Sequence, residues 1–157
     1  MKKLLIVYHT QSGNTGQLCQ ALTQGVHLVQ EASDEPELEL RCLKAANAAL
    51  EDLLWCDAVL FGTPENFGYM SGALKDFFDR TYYPAEPYEL NLPYGIFVSA
   101  GNDGTNAVRE CDRILKGYPM KKVMEPLIAR GEITQQHLDL ACEMGQTMAC
   151  GLSVGIY

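Results

Sequence analysis

Residues 4–15 have the sequence LLIVYHTQSGNT, and this stretch decides the fold. The four apolar residues at its start predict a buried strand, because such short continuous runs are typical of strands covered on both faces. Beyond the stretch the pattern becomes that of a helix, with apolar residues at steps of three and four: Leu18, Leu22, Val26 and Val29. A short polar loop therefore joins a first strand to a first helix.

The loop between these two elements has the groups that hold a phosphate. A helix N-terminus supplies amides without intrahelical partners and a partial positive charge. Gly13 lets the main chain approach a ligand closely, and the side-chain donors are Thr10, Ser12, Asn14 and Thr15. The loop matches neither the P-loop pattern nor G-x-G-x-x-G. The same residues are also compatible with an ordinary turn in which Ser12 or Asn14 caps the helix.

Strand and helix patterns alternate along the rest of the chain. Strands are predicted at about 3–8, 38–43, 57–61, 94–100 and 123–129, and helices at about 14–30, 45–55, 71–81, 105–116 and from Thr134 onward. Loops are predicted at 31–37 and 82–93, and Pro126 restricts the fifth strand to an edge or a bulge. Five strands, each followed by a helix, predict an α/β fold in one domain over residues 1–157, with a doubly wound five-stranded parallel sheet and helices on both faces.

The composition restricts the class of protein. A formal net charge of -8 argues against non-specific binding to nucleic acid or to an anionic membrane. The chain has no apolar run that could span a bilayer and no signal-peptide pattern, so we expect a cytoplasmic protein. The 6 cysteines form no C-x-x-C pair and none lies at zinc-site spacing to a histidine, so we expect small buried residues and no metal.

Two further loops follow the third and fourth strands, and in a parallel sheet they meet the first loop at the carboxyl edge. The loop at residues 62–72 is long and mixes glycine, proline, amide and aromatic groups. Its Phe67 and Tyr69 either lie against a planar ligand or pack over the end of the sheet. The loop at residues 99–105 either approaches a ligand through its glycines or forms a plain capped turn.

The three loops together resemble the motifs of the flavodoxin-like superfamily, in particular its branch of small NAD(P)H-dependent FMN reductases and quinone reductases. The matching segments are residues 8–15, residues 62–72 with Lys75-Asp76-Phe77, and residues 99–102. The resemblance implies the strand order 2-1-3-4-5 and a bound FMN.

The resemblance also implies which residues bind this FMN. The phosphate is expected on the first loop, at Thr10, Ser12, Gly13, Asn14 and Thr15, with Gln11 of the same loop also assigned to the cofactor. The isoalloxazine ring is expected against the loop after the third strand, at Pro64, Glu65, Asn66, Phe67 and Gly68. It is expected to be flanked by the loop after the fourth strand, at Ala100, Gly101 and Asn102.

One departure from the family separates two functions. Electron-carrier flavodoxins usually cover the outer face of the flavin with an aromatic residue from the loop after the fourth strand, and residues 100–105 contain none. An open face leaves room for a nicotinamide or a quinone to stack. The resemblance therefore implies an NAD(P)H-dependent oxidoreductase with NADPH or NADH as co-substrate and a quinone, free flavin or other small molecule as acceptor. It also allows a homo-oligomer.

Two alternatives stay open at the level of the sequence. The first is a flavodoxin-type one-electron carrier that docks on a redox partner protein, which the acidic charge favours. The tyrosines of residues 82–94 are candidates to cover the flavin face in that case. The second alternative is a flavin-binding sensor domain without turnover.

Overall fold

A sheet of parallel strands lies at the centre of the structure, a computed structural model that describes residues 1–34 and 38–157. The strands are β1 (Lys2–Tyr8), β2 (Leu38–Lys44), β3 (Ala58–Pro64), β4 (Pro93–Ala100), β5 (Lys121–Lys122) and β6 (Leu127–Arg130). Their order is β2-β1-β3-β4, and β5 and β6 both pair with β4. The predicted order 2-1-3-4-5 is thereby confirmed.

Helices cover both faces of this sheet. They are α1 (Asn14–Ala32), α2 (Leu50–Trp55), α3 (Gly72–Ala85), α4 (Thr105–Leu115) and α5 (Gln135–Ser153). Successive side chains of a strand point to opposite faces. Leu4 and Ile6 accordingly pack with α1 and α5, whereas Leu5 and Val7 pack with α2, α3 and α4. Burial on both faces explains the continuous apolar run of β1.

The predicted helix at 45–55 is two shorter elements. A 3-10 turn at Ala45–Asn47 precedes α2, and the backbone of Ala49 between them is extended. The carboxylate of Asp52 accepts the amide hydrogen of Ala49 at 2.9 Å. The helix therefore restarts with a carboxylate at its N-terminus, where a negative charge is favourable.

Two predicted loops are partly helical. Helix α3 continues through Ala85 and is followed by a 3-10 turn at Glu86–Tyr88, so the expected loop at 82–93 is shorter than predicted. Helix α1 includes residues 31 and 32 of the loop expected at 31–37. The last part of that loop, residues 35–37, lies outside the described residues.

The predicted fifth strand is interrupted. Lys122 lies opposite Tyr94 and Leu127 lies opposite Phe97, so the four residues 123–126 lie opposite the two residues 95–96 of β4. This is a bulge with an excess of two residues (four minus two), and Pro126 lies within it. Since proline has no amide hydrogen to donate to a ladder, this position agrees with the expectation of an edge or a bulge.

The cysteines only partly follow the prediction. Cys19, Cys56 and Cys111 are buried and Cys142 is half-buried, but Cys42 and Cys150 are exposed. Among the described residues no group of three metal-binding side chains is placed to hold a metal ion. None of the helices in the described ranges is both long enough and apolar enough to cross a membrane.

Helices α1 and α5 cross in close contact at two glycines. A Cβ atom added to Gly25 would lie 2.0 Å from the carbonyl oxygen of Cys142, and one added to Gly145 would lie 2.0 Å from the carbonyl oxygen of Leu22. Both obstacles are main-chain atoms of the facing helix, so a side chain at either glycine would push the helices apart. The glycines therefore set the distance between α1 and α5.

We expect Gly25→Ala to lower the free energy of unfolding by about 1–3 kcal/mol, the usual cost of overpacking, although alanine is the better helix former. Calorimetry should show this as a fall in Tm of roughly 2–4 °C per kcal/mol. The matched control is Gly72→Ala in the first turn of α3, because a Cβ added to Gly72 would have no neighbour within 4 Å in the described part of the chain beyond its own helix turn. Equal Tm values for the two variants would contradict this account of the helix contact.

Candidate functional site

A cavity of about 640 Å³ opens at the carboxyl edge of the sheet. Sites for small molecules and cofactors have volumes of this order. Among the residues expected to bind a ligand, its wall contains Gln11, Ser12, Asn14, Pro64, Glu65, Asn66, Ala100 and Gly101. The structure therefore brings together the three loops that follow β1, β3 and β4. Thr10, Gly13, Thr15, Phe67, Gly68 and Asn102 belong to the same loops but lie outside the wall.

The wall also contains residues that the sequence analysis missed, namely Gln17, Ser99, Gly131, Glu132 and Ile133. The last three form a loop after β6, which reaches the site because the amide of Gly131 donates to the carbonyl oxygen of Ala100 at 2.8 Å. A signal for this loop was available in the sequence. It follows a strand of the same parallel sheet, and the carboxyl ends of all such strands meet at one edge.

The first turn of α1 presents main-chain donors toward the cavity edge. Gly13 is the N-cap and has a φ of 100°, a left-handed conformation that glycine adopts readily. The alternative of a cap at Ser12 or Asn14 is therefore wrong. Within residues 1–34 and 38–157, the amides of residues 12–15 have no hydrogen-bond acceptor. These amides are the unpaired donors that an anion at a helix N-terminus uses.

The side chain of Thr10 stabilises this turn as a hydrogen-bond acceptor, in contrast to the donor role that the sequence predicted for it. Its Oγ1 atom accepts the amide hydrogen of Gly16 at 3.0 Å. The hydroxyl of Thr15 lies 2.7 Å from the hydroxyl of Ser99, and both residues are buried. The side chain of Thr15 therefore joins α1 to β4, and its main-chain amide is the group that remains free.

The loop after β3 contains a tight hairpin turn. Asn66 and Tyr69 exchange two main-chain hydrogen bonds of 2.8 and 2.9 Å. Between them Phe67 and Gly68 have φ values of 53° and 70°, as in a type I′ turn. The Phe67 side chain is fully exposed, whereas Tyr69 packs against the core. Packing over the sheet end therefore describes Tyr69 and not Phe67.

Two side-chain hydrogen bonds hold this hairpin between its neighbours. The side-chain amide nitrogen (Nδ2) of Asn66 donates to Oε1 of Gln11 at 3.0 Å, which connects the hairpin to the first loop. The side-chain amide nitrogen (Nδ2) of Asn106 on α4 donates to the main-chain carbonyl oxygen of Gly68 at 2.6 Å. The hairpin is thus fixed on both sides.

The carboxylate of Glu65 connects the hairpin loop to the loop after β4. It accepts the amide hydrogens of Gly104 at 2.6 Å and of Asn102 at 3.3 Å. Gly104 is the N-cap of α4, so the negative charge of Glu65 lies at the positive end of a helix. Asp103 accepts the amide hydrogen of Thr105, but the N-cap of α4 is Gly104. The alternative of a plain turn with Asp103 or Thr105 as the cap is therefore wrong.

The cavity wall has no aromatic side chain among the described residues. The tyrosines of residues 82–94 do not supply one. Tyr82 packs edge-on against Tyr118, with 5.1 Å between ring centroids. Tyr94 is buried and donates to Asp112, and burial together with this hydrogen bond raises the pKa of its phenol. The connection precedes β4 and therefore lies at the amino edge of the sheet, opposite the cavity.

Sequence comparison identifies proteins that are similar to this chain. Residues 9–135 match the family model of the NADPH-dependent FMN reductases. A flavodoxin of Aquifex aeolicus is 33% identical over 79 residues, which cover 50% of this chain and 40% of that protein. An NAD(P)H dehydrogenase (quinone) of Acidithiobacillus ferrooxidans is 33% identical over 95 residues, which cover 52% of this chain and 48% of that protein. The chain thus spans less than half the length of these curated relatives.

Solved structures agree on the fold. A flavodoxin from the domain Archaea superposes with a TM-score of 0.81 at 18% identity, covering 96% of this chain and 99% of that one. A WrbA-like flavodoxin protein of Agrobacterium tumefaciens superposes with a TM-score of 0.76 at 20% identity, covering 98% of each chain. The fold is therefore flavodoxin-like. Because the family model covers most of the chain, the chain belongs to the NADPH-dependent FMN reductase family.

Proposed function

We propose that this protein is an oxidoreductase that binds FMN in the cavity and passes electrons from NADPH or NADH to a small acceptor, such as a quinone or free flavin. The observation that carries the proposal is a cavity at which the described residues leave helix amides unpaired and place no aromatic side chain in the wall. Family membership and the quinone dehydrogenase relatives support it. When bound, FMN supplies the redox chemistry, and the protein binds and orients the reactants.

The first turn of α1 is the proposed phosphate site. The unpaired amides of residues 12–15 suit a phosphate monoester, because they donate to an anion at the positive end of a helix. Ser12 and Asn14 add polar side chains in the wall. Thr10 and Thr15 act indirectly, since their hydroxyls already bind Gly16 and Ser99.

The loops after β3 and β4 are the proposed walls of the ring site. Pro64 lies opposite Ser99 in the sheet, so both loops start side by side. The carboxylate of Glu65 then bonds to Gly104, which fixes the separation of the two loops. We assign the flat ring of the flavin to this slot, with Phe67, Gly68 and Asn102 at its rim.

A one-electron carrier is the second candidate. The flavodoxin of Aquifex aeolicus among the relatives and the net charge of -8 favour it. The two functions differ in one measurement, the steady-state oxidation of NADPH or NADH with a quinone as acceptor. Sustained turnover supports the oxidoreductase. Absence of turnover by the FMN-loaded protein with either nucleotide would contradict it and favour the carrier.

We expect the protein to bind FMN more tightly than riboflavin, because only FMN has a phosphate for the amides of α1. In titration calorimetry, Ser12→Ala should weaken FMN by about 1–2 kcal/mol, roughly five- to thirtyfold in Kd, and should leave riboflavin unchanged. Ser153→Ala is the matched control, since Ser153 lies at the end of α5 outside the cavity wall. Equal affinity for both flavins would remove the phosphate assignment.

We expect Asn102→Tyr to slow the reduction of bound FMN by NADPH or NADH at least ~10-fold in stopped-flow measurements, because a ring at this exposed position covers the open wall. The affinity for FMN should stay equal or increase, since aromatic contact adds about 0.5–1.5 kcal/mol. Asn102→Ala is the control, because it removes the same side chain without adding a ring. An unchanged reduction rate in the folded Tyr variant would mean that the nicotinamide does not approach from this side.

A further inference from the structure

Two cysteines far apart in sequence meet beside the sheet. The Sγ atoms of Cys19 on α1 and Cys42 on β2 lie 3.4 Å apart, although the two residues are 23 positions apart in the sequence. Cys42 lies opposite Ile6 in the β1–β2 register, and Ile6 and Cys19 belong to the same core cluster. The pair therefore lies on the face of the sheet that α1 covers.

The two thiols differ in access and in acidity. Cys19 is 2% exposed, whereas Cys42 is exposed on the edge strand. A hydrogen bond joins the two sulfur atoms, and it lowers the pKa of Cys42 and raises the pKa of Cys19. A hydrogen bond with the Thr23 hydroxyl acts to lower the pKa of both thiols. Cys42 thus has the properties of an attacking thiolate, and Cys19 has those of a buried resolving thiol.

We propose that Cys19 and Cys42 form an oxidisable dithiol that hydrogen peroxide converts to a disulfide between α1 and β2. The thiolate sulfur of Cys42 attacks one peroxide oxygen and the O–O bond breaks, which gives a sulfenic acid on Cys42 and a hydroxide that is protonated to water. The sulfur of Cys19 then attacks the sulfenic sulfur, so that the S–S bond forms, the S–O bond breaks and a second water leaves. The two thiols lose two electrons and one peroxide is reduced to two waters.

The surroundings of the pair allow this closure. An S–S bond is about 2.05 Å long, so the sulfurs must approach by about 1.4 Å from their separation of 3.4 Å. β2 is an edge strand and pairs with β1 alone among the strands of the described residues. It can therefore shift toward α1 without disturbing a second ladder. The dithiol is also separate from the cavity, whose wall contains neither cysteine.

The test is oxidation of the reduced protein, residues 1–157, with excess hydrogen peroxide, followed by catalase. We expect the loss of two of the 6 thiols in a thiol titration under denaturing conditions, with a mass decrease of about 2 Da for the two hydrogens removed. Peptide mapping should find the Cys19–Cys42 cross-link. Because the cross-link closes a loop across 23 positions, Tm should rise on the order of 5–10 °C and return on reduction.

Three variants separate the steps. Cys19→Ser should stop the reaction at a sulfenic acid on Cys42 that dimedone traps, and Cys42→Ser should leave Cys19 reduced. Cys150→Ser is the matched control, because Cys150 is exposed without a recorded thiol neighbour in the described chain, and it should behave like the unaltered protein. Faster oxidation of Cys150 than of Cys42 would overturn the proposal. So would thiol loss from the unaltered protein without a Cys19–Cys42 cross-link, or no thiol loss; this readout does not depend on whether any variant folds or on FMN.

Discussion

The hydrogen bond between the hydroxyls of Thr15 and Ser99 holds the candidate site together. Both residues are buried and the oxygen atoms lie 2.7 Å apart. Removal of one hydroxyl would leave the other, on a buried residue, without this partner, at a cost of about 1–3 kcal/mol. The bond joins the first turn of α1 to the end of β4. It thereby sets the distance between the free amides of α1 and the main chain at Ala100, which lie at the wall of the same cavity.

A second interaction also restricts the position of helix α1, namely direct contact between its main chain and the main chain of α5. At Gly25 and Gly145 the main chains of α1 and α5 touch, so the middle of α1 cannot move toward α5 or accept a larger residue without separation of the helices. Hydrogen bonds at its start and the two glycine contacts farther along therefore both restrict the position of α1. The helix also carries Cys19, so the amides of the cavity and the dithiol share one rigid element.

The sequence predicted those features that depend on local pattern. The buried run at β1 and the placement of three loops after strands predicted a parallel sheet with a site at its carboxyl edge. The strand order and the individual residues of the cavity wall were implied by the family resemblance. Features that arise between distant residues were not predictable. The carboxylate of Glu65 was expected at the flavin ring, but whether it also bonds to Gly104 depends on how two loops approach each other. The meeting of Cys19 with Cys42 depends on the β1–β2 register, which periodicity does not reveal.

The open wall of the cavity follows from topology more than from the choice of side chains. A connection that precedes a parallel strand lies at its amino edge, so the tyrosines before β4 cannot reach a ligand at the carboxyl edge however many there are. Only the loops after the strands can supply a covering ring.

The candidate there is Phe67, which is fully exposed and has a positive φ that is unfavourable for a bulky residue. Because the hydrogen bonds of Asn66 and Asn106 hold that turn at both sides, the strain is maintained by its neighbours, as is common at functional sites. The aromatic ring therefore follows Asn66 of the wall in sequence, is exposed to solvent and lies outside the wall itself. Such an arrangement suits a site that admits one small reactant after another, which is the requirement of the proposed oxidoreductase and not of a carrier with a shielded flavin.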